Sequence, residues 1–434
     1  LRLIRVYDLK TEVVRLDATV GTVHHEKENS TLFRLGKAKN GSYETQFKLM
    51  LASLDLLGMP LVVDVEAGNR ADDPLYIPSY QRVKTILERN GLLAVGDSKM
   101  SALLTRATIV AGRDCYLVPL ADRKEEPELL ISELEAWIEK GAQSEHIFLP
   151  EDRPEDDREP DPKLAIGHGF EVTRTQTATV EGEKVAWEER LLVVQSYSYM
   201  TSELTHFRRR LEKAEEALIA LTPPRQRGKK QIEEEAVLLS AIDAIEKKYR
   251  VKGFFCYDYQ KEVEERTARG YRGKPERVER KVRYQLTVSR NPSTIEAAEV
   301  KAGWRIYATN ESSENLSLEK AVLCYREQIV AENIFRRLHG KMLSVTPLYV
   351  QREDHAQGLI HLLTLAARVL ALGDYLAKEA LAEEEAELAD IYAGNAKRST
   401  PRPTTERMLK AFEGIDLIIF PPHEQRASVL TGFR

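Results

Sequence analysis

The sequence predicts a mixed α/β sheet flanked by helices and interrupted by a mixed β and helical-hairpin insertion. Three observations carry this expectation. Strand-like runs follow one another between residues 11 and 65, and residues 78–120 then alternate helix, strand, helix, strand. A last strand-to-helix unit, Gly303 to Lys341, returns only after a long stretch of different character.

The first run, TEVVRLDATV, alternates as a strand with Val14, Leu16, Ala18 and Val20 on one face and Asp17 on the other. After the polar loop GKAKNGSYE come strands at Gln46 to Ser53 and Leu61 to Val65, the second closed by a turn at Ala67 to Asn69. Pro78 to Arg89 reads as a helix ending at Asn90-Gly91. LLAVGD is a short apolar run closing on Asp97, the pattern of a buried parallel strand. A helix at Ser101 to Ala111 and the strand CYLVPL complete this block.

The insertion opens with a helix, Glu128 to Lys140, and the acidic, proline-rich EDRPEDDREPDP, a solvated loop. GHGFEVTRTQTATVEGEKVAWEERLLVVQSYSYM reads as two or three strands. Two helices, Thr201 to Leu221 and Gln231 to Tyr249, form an antiparallel hairpin joined by TPPRQRGKK. Its Arg225, Arg227, Lys229 and Lys230 read either as a solvated tip or as contacts to a nucleic-acid backbone. GFFCYDYQ and VRYQLTVSR are strands flanking the basic YRGKPERVERKVR.

In the Gly303 to Lys341 unit, Trp304, Ile306 and Ala308 share one strand face, and Ser317 with Glu319 behind it starts a helix. Read as one continuous helix, Leu323, Val330, Ile334 and Leu338 face a core, while Tyr325, Gln328, Glu332, Arg336 and His339 form the opposite stripe. Such a stripe alone is equally a solvated face. A long apolar helix, an acidic helix EEEAELADIY and a proline-containing tail follow. The expected divisions are therefore 1–122 and 301–375 for the two parts of the sheet domain, 123–300 for the insertion, and 376–434 for a C-terminal helix and tail.

An apolar content of 42% supports a sizeable interior in 434 residues, long enough for two or three domains. The net charge of −5 weighs against a nucleic-acid enzyme, but positive charge is concentrated in local patches. Cys115, Cys256 and Cys324 have spacings that give neither a disulfide framework nor a zinc site, which suggests a reducing, cytoplasmic compartment. No signal peptide is visible, and no apolar run approaches the ~20 residues of a membrane span, so no membrane partner is expected. The chain starts at Leu1, nearly inside a strand, and reads as a fragment without an N-terminal segment.

The aspartates each carry two readings. Asp17 is either a solvent-facing strand residue or a functional acid. Asp97 is either the N-cap of the next helix or a carboxylate whose burial needs a partner. His24 and His25 lie in a polar loop, and His168, beside two glycines, reads as a turn residue; none is expected to bind a metal.

With RLDATV around Asp17, PLVVDVEAGN, LLAVGDSKMS around Asp97, GWRIYATN and YREQIVAENIFRRLHG around Glu332, the chain resembles a DDE transposase of bacterial insertion sequences. The resembling subgroup has a ribonuclease H-like core, a β-rich insertion and a Tyr-Arg-Glu-Lys signature helix, and the likeness spans Val13 to Leu370. Tyr325 and Glu332 stand where the signature expects them; Gln328 replaces its Arg and His339 its Lys, with Arg326, Arg336, Arg337 and Lys341 close by.

The resemblance implies metal-dependent DNA strand cleavage at element ends and strand transfer into target DNA. It makes Asp17, Asp97 and Glu332 the catalytic and metal-holding residues for two Mg²⁺ (or Mn²⁺) ions. Such ions, ~3.5–4 Å apart, activate a water and stabilise the leaving oxygen, and hard cations take carboxylates. Tyr325, Gln328, Arg336, His339, Arg326 and Lys341 become DNA contacts, and the implied assembly is a homodimer on DNA in the bacterial cytoplasm, at the nucleoid. The interval from Asp17 to Asp97 is 80 residues and from Asp97 to Glu332 is 235, so an insertion must lie in the second. Sixteen residues ahead of Asp17 leave no room for a helix-turn-helix, so weak, salt-sensitive DNA binding with little end preference is expected. The same residues also allow a non-transposing nuclease, or a domesticated DNA-binding or assembly protein without catalysis.

Overall fold

The computed structural model describes residues 1–24, 30–37, 41–55, 57–120, 126–141, 143–154, 158, 160–224, 231–268, 277–413, 416–417 and 430–431. The elements in chain order begin with α1 (Arg2–Val6), β1 (Val13–Thr22), β2 (Arg34–Lys37), β3 (Tyr43–Leu54) and β4 (Pro60–Ala67). Next are α2 (Tyr76–Leu87), β5 (Leu93–Gly96), α3 (Leu103–Ala111), β6 (Cys115–Pro119), α4 (Glu126–Lys140) and β7 (Glu145–Ile147). They continue with β8 (Gly167–Val180), β9 (Glu183–Ser196), α5 (Tyr197–Ile219), α6 (Glu235–Tyr249), β10 (Phe255–Ala268), β11 (Arg277–Arg290) and α7 (Pro292–Val300). Last come β12 (Trp304–Thr309), α8 (Leu318–Arg326), α9 (Ile329–His339), α10 (Glu353–Glu383) and α11 (Thr405–Ala411), with short strands β13 (Asp416–Leu417) and β14 (Leu430–Thr431).

Ten strands form one mixed sheet in the order β2-β3-β1-β5-β6-β12-β9-β8-β7, with β4 paired to β3 off that path. β3 runs antiparallel to both β1 and β4, whereas β1–β5 and β5–β6 are parallel. Two antiparallel joins followed by two parallel ones, with helices α2 and α3 in the crossovers, make the path β4-β3-β1-β5-β6 a ribonuclease H-like core. The chain divides into two compact units. The first comprises Leu1–Glu126, Glu171–Leu192 and Tyr307–Arg434; the second comprises Pro127–Phe170 and Val193–Ile306.

In the first unit, strand alternation sends Phe47, Leu49 and Leu51 of β3 to one face of the sheet, where they meet Ile334, Phe335 and Leu338 of α9 and Ile360 of α10. Met50 and Ala52, of opposite parity, are buried too, so the sheet is covered on both sides. Close strand packing fixes the register: Gly21 pairs with Phe47, and a Cβ on Gly21 would lie 2.3 Å from the Phe47 ring. α10 holds an 18-residue window with a mean hydropathy of 1.5, long and apolar enough to cross a membrane by those two criteria. Ala356, Ile360 and Ala367 of that helix are buried in the same core cluster as Phe47, Leu49 and Leu51.

The run EEEAELADIY does not form the expected helix. α10 ends at Glu383, Glu385 takes a left-handed conformation, and the Ala386 N–H closes back on the Leu381 carbonyl at 2.9 Å. Consecutive glutamates at a helix C-terminus oppose its dipole, which favours stopping there.

In the second unit, α5 and α6 form the expected helical hairpin and pack on the β10–β11 ribbon through Phe207, Leu211, Leu238, Ile242, Tyr284 and Leu286. The hairpin's joining loop, with Arg225, Arg227, Lys229 and Lys230, lies outside the described residues. His168 is a strand residue rather than a turn residue: its Nδ1 is 3.1 Å from the Tyr197 hydroxyl and its ring stands edge-on to Trp304.

Candidate active site

β1 and β5 run parallel with Leu16 opposite Gly96, so Asp17 on β1 and Asp97, the first residue beyond β5, follow neighbouring positions. The approach at Gly96 is tight, since a Cβ there would meet the Met100 sulfur and the Leu16 carbonyl. In α/β sheets the carboxyl ends of parallel strands are where side chains for chemistry converge.

Asp97 is not the N-cap of α3, whose cap position is Ala102. Its Oδ1 instead accepts from the Tyr76 hydroxyl at 2.6 Å and from the Lys99 N–H at 3.0 Å, closing an Asx turn beyond β5. Asp17 is not simply solvent-facing. It is half-buried and shares a face of β1 with Arg15 and Thr19, opposite Leu51 on the α9 side of the sheet. Burial pushes its carboxyl up to about 7; the Ala18 N–H bond acts downward, the charges of Asp97 and Glu332 push further up, and Lys99 opposes them. Glu332, exposed in the first turn of α9, therefore lies within electrostatic reach of Asp17. Among the described residues no three His, Cys, Asp or Glu side chains are grouped closely enough to hold a metal ion as they stand.

Around the acids stand residues that the sequence pattern did not single out. Buried Tyr76, the first residue of α2, has its hydroxyl pKa raised by burial and by Asp97. Lys48 of β3 and Lys99 both pair with Asp72, whose carboxyl stays below its usual range: burial would raise it, but the two lysines outweigh burial. No spacing rule links these positions. Only the lysine beside Asp97 in the GDSKM turn was a local cue.

The helix stripe is rearranged. The continuous helix expected from Leu318 is broken at Glu327–Gln328 into α8 and α9. Gln328 sits at the break with its Oε1 3.3 Å from Arg15 Nη1, pointing into the protein rather than along the stripe. Tyr325 packs its ring against Tyr307 at 4.9 Å. His339 Nε2 lies 3.4 Å from the Thr19 hydroxyl, two residues along β1 from Asp17. Arg336 is exposed and bonds Asn333, and Arg326 and Lys341 are exposed. Arg337 turns away to pair with Asp374 and Glu406. His24 is exposed with its ring 5.8 Å from that of Tyr349, and His25 lies outside the described residues.

No protein-family model and no curated protein matches the chain. Among solved structures, it is similar to a piggyBac transposase synaptic complex with hairpin DNA, determined by cryo-EM, at a TM-score of 0.36 and 7% identity. The match covers 85% of this chain and 48% of that one, so the chain spans about half its neighbour's length. A likeness that slight identifies neither relationship nor activity.

Proposed function

We propose that the chain is a DNA transposase of the DDE type, cutting DNA strands at the ends of an insertion sequence and joining them to target DNA, with Asp17, Asp97 and Glu332 as its catalytic acids. The observation that carries this reading is the β1–β5 register, which sets two carboxylates side by side with a third close enough to hold back the ionisation of Asp17. Asp17 and Asp97 at neighbouring positions, with Glu332 within electrostatic reach, are oxygen donors of the kind that a hard divalent cation takes, and a bound cation would draw them together. Asp17, Asp97 and Glu332 are the residues that would hold Mg²⁺ or Mn²⁺. Bound there, a pair of such ions would supply charge stabilisation for in-line phosphodiester displacement.

The chain's own residues divide the remaining work. Tyr76 orients Asp97 by donating to one of its oxygens, leaving the other available. Arg336 and His339 of α9, Arg326 and Tyr325 at the end of α8 and Lys341 just past α9 would grip phosphates of the strand being cut. The loop carrying Arg225, Arg227, Lys229 and Lys230 would add backbone contacts, and a homodimer on DNA in the cytoplasm is the assembly proposed.

The test is Glu332→Gln. It should abolish Mg²⁺- or Mn²⁺-dependent cleavage and weaken Mn²⁺ binding, read by calorimetry, while DNA affinity persists. Equal loss of cleavage and DNA binding would make Glu332 a structural residue and sink the assignment. Strand transfer, assayed by joining a pre-cut end to plasmid DNA, separates a transposase from a nuclease that only cuts.

A further inference from the structure

The break between α8 and α9 occurs in a segment, Leu318 to His339, that contains no proline and no glycine. Kinks without those residues arise where a side chain enters the hydrogen-bond ladder. Here the intruder is Arg15, which lies on β1 two residues before Asp17 and is 0% exposed. Its Nη2 donates to the Cys324 carbonyl at 2.8 Å, and Nη1 to Gln328 Oε1 at 3.3 Å. Nε donates to Asp55 at 2.5 Å, and the Glu327 carboxylate stands 3.5 Å from Nη2. Asp55 and Glu327 provide the counter-charge that a buried guanidinium requires.

In an unbroken helix the Cys324 carbonyl would take the N–H of Gln328. That N–H bonds the Tyr325 carbonyl instead, at 2.9 Å, and the next two closures, Val330 to Glu327 and Ala331 to Gln328, also span three residues. The ladder tightens for one turn and α9 starts afresh. Gln328 is held there by its oxygen alone, its Nε2 being buried without a partner, a cost that a solvated glutamine would avoid.

Arg15 meets Cys324 and Gln328, and Thr19 meets His339, so Asp17, between them on the same face of β1, faces the stretch of α9 that carries Glu332. Two residues along a strand advance roughly 6.6 Å and one helical turn advances about 5.4 Å. A grip at Gln328 therefore delivers the side chain one turn later, Glu332, to the level of Asp17.

We infer that Arg15 is a positioning residue: by taking the Cys324 carbonyl and the Gln328 amide it breaks the helix and aims Glu332 at Asp17. Its use for catalysis rests on the reading of the three acids proposed above; its control of the helix does not. Two readouts keep these apart. Spin labels on cysteines placed at the exposed Lys320 and Arg336, with Cys256→Ser as background, report the span across the break. A straight helix would separate those Cα atoms by about 24 Å, and the bent wild type should read shorter. Arg15→Met combined with Asp55→Asn removes the donors without stranding a buried carboxylate, and should move the distance toward the straight value. Arg15→Lys keeps the charge but not the fork, and should move it the same way. An unchanged distance in both variants would overturn the inference.

The second readout is Mn²⁺ affinity in the folded variants, expected to fall about tenfold in both while their unfolding stays cooperative. Unchanged Mn²⁺ affinity beside a lengthened distance would remove Arg15 from metal-site geometry and overturn its aiming role. If wild type itself binds no Mn²⁺, the metal reading fails, and the distance measurement still decides whether Arg15 bends the helix.

Discussion

Glu353, in the first turn of α10, accepts from the Ser30 hydroxyl at 2.6 Å and from the N–H and hydroxyl of Thr31 at 2.7 and 2.6 Å. The Ser30 bond first, then those from Thr31, hold its carboxyl down at about 2 from an ordinary 4.5. A depressed folded-state value means that the carboxylate form is favoured by folding. The stability it contributes is complete above about pH 4.5 and is lost as pH falls through about 2. Glu353→Gln should therefore be less stable than wild type to urea at pH 7, with the gap closing between pH 4.5 and 2; a gap independent of pH would contradict the assignment. A second residue-scale contrast concerns neighbouring arginines. Arg337 is tied to both Asp374 and Glu406, whereas exposed Arg336 bonds Asn333 of its own helix. Arg337→Ala should lower the melting temperature by several degrees, while Arg336→Ala should leave it nearly unchanged and weaken DNA binding. Loss of activity in Arg337→Ala is thus informative about DNA only after correction for the folded fraction.

At the scale of elements, the strands around Asp17 and Asp97 were legible because alternation and short apolar runs record local geometry that every residue shares. The break between α8 and α9 was not legible: its cause, Arg15, lies 309 residues from the carbonyl it captures, and an arginine in an alternating strand looks like a solvent-facing residue. Tyr76 and Lys48 were missed for the same reason, since their roles exist only once the sheet has formed. A further long-range tie joins α3, β6, β8 and β9. Glu189, fully buried, pairs with Arg106 and Arg174 and accepts from Tyr116, which in turn accepts from the Trp187 indole at 2.9 Å. Burial would raise the Glu189 carboxyl, but Arg106 and Tyr116, then Arg174, outweigh it and keep the pKa below the ordinary range. Arg106 also donates to the Ser101 carbonyl, in the turn that follows Asp97. Glu189→Gln strands a buried guanidinium and should cost roughly 3–5 kcal/mol in chemical denaturation; a loss under about 1 kcal/mol would mean water reaches the cluster.

At the scale of the whole molecule, the first unit is assembled from three separate stretches of chain, and the cover for Phe47, Leu49 and Leu51 comes from α9 and α10 near its end. Glu332 therefore comes within electrostatic reach of Asp17 only when the last segment docks, whereas Asp17 and Asp97 are already neighbours through the β1–β5 pairing. Arg336, one turn along α9 from Glu332, and Lys341, just beyond that helix, are exposed on a chain whose formal net charge is −5. On the proposed reading, overall charge repels DNA, so affinity would come from local phosphate contacts, each neutralised phosphate contributing about 0.9 to the slope of log K against log salt. Arg336→Ala and Lys341→Ala should each lower that slope by about one unit and weaken binding alike on element-end and scrambled duplexes, because phosphate contacts carry no sequence information. Glu332→Gln removes a negative charge from the same face, so it should keep or strengthen affinity in the absence of divalent ions. Titrations of wild type and the three variants across a salt series decide the matter. If neither basic substitution changes the slope, the α9 face does not meet the DNA backbone, and the proposed phosphate contacts of Arg336 and Lys341 fail.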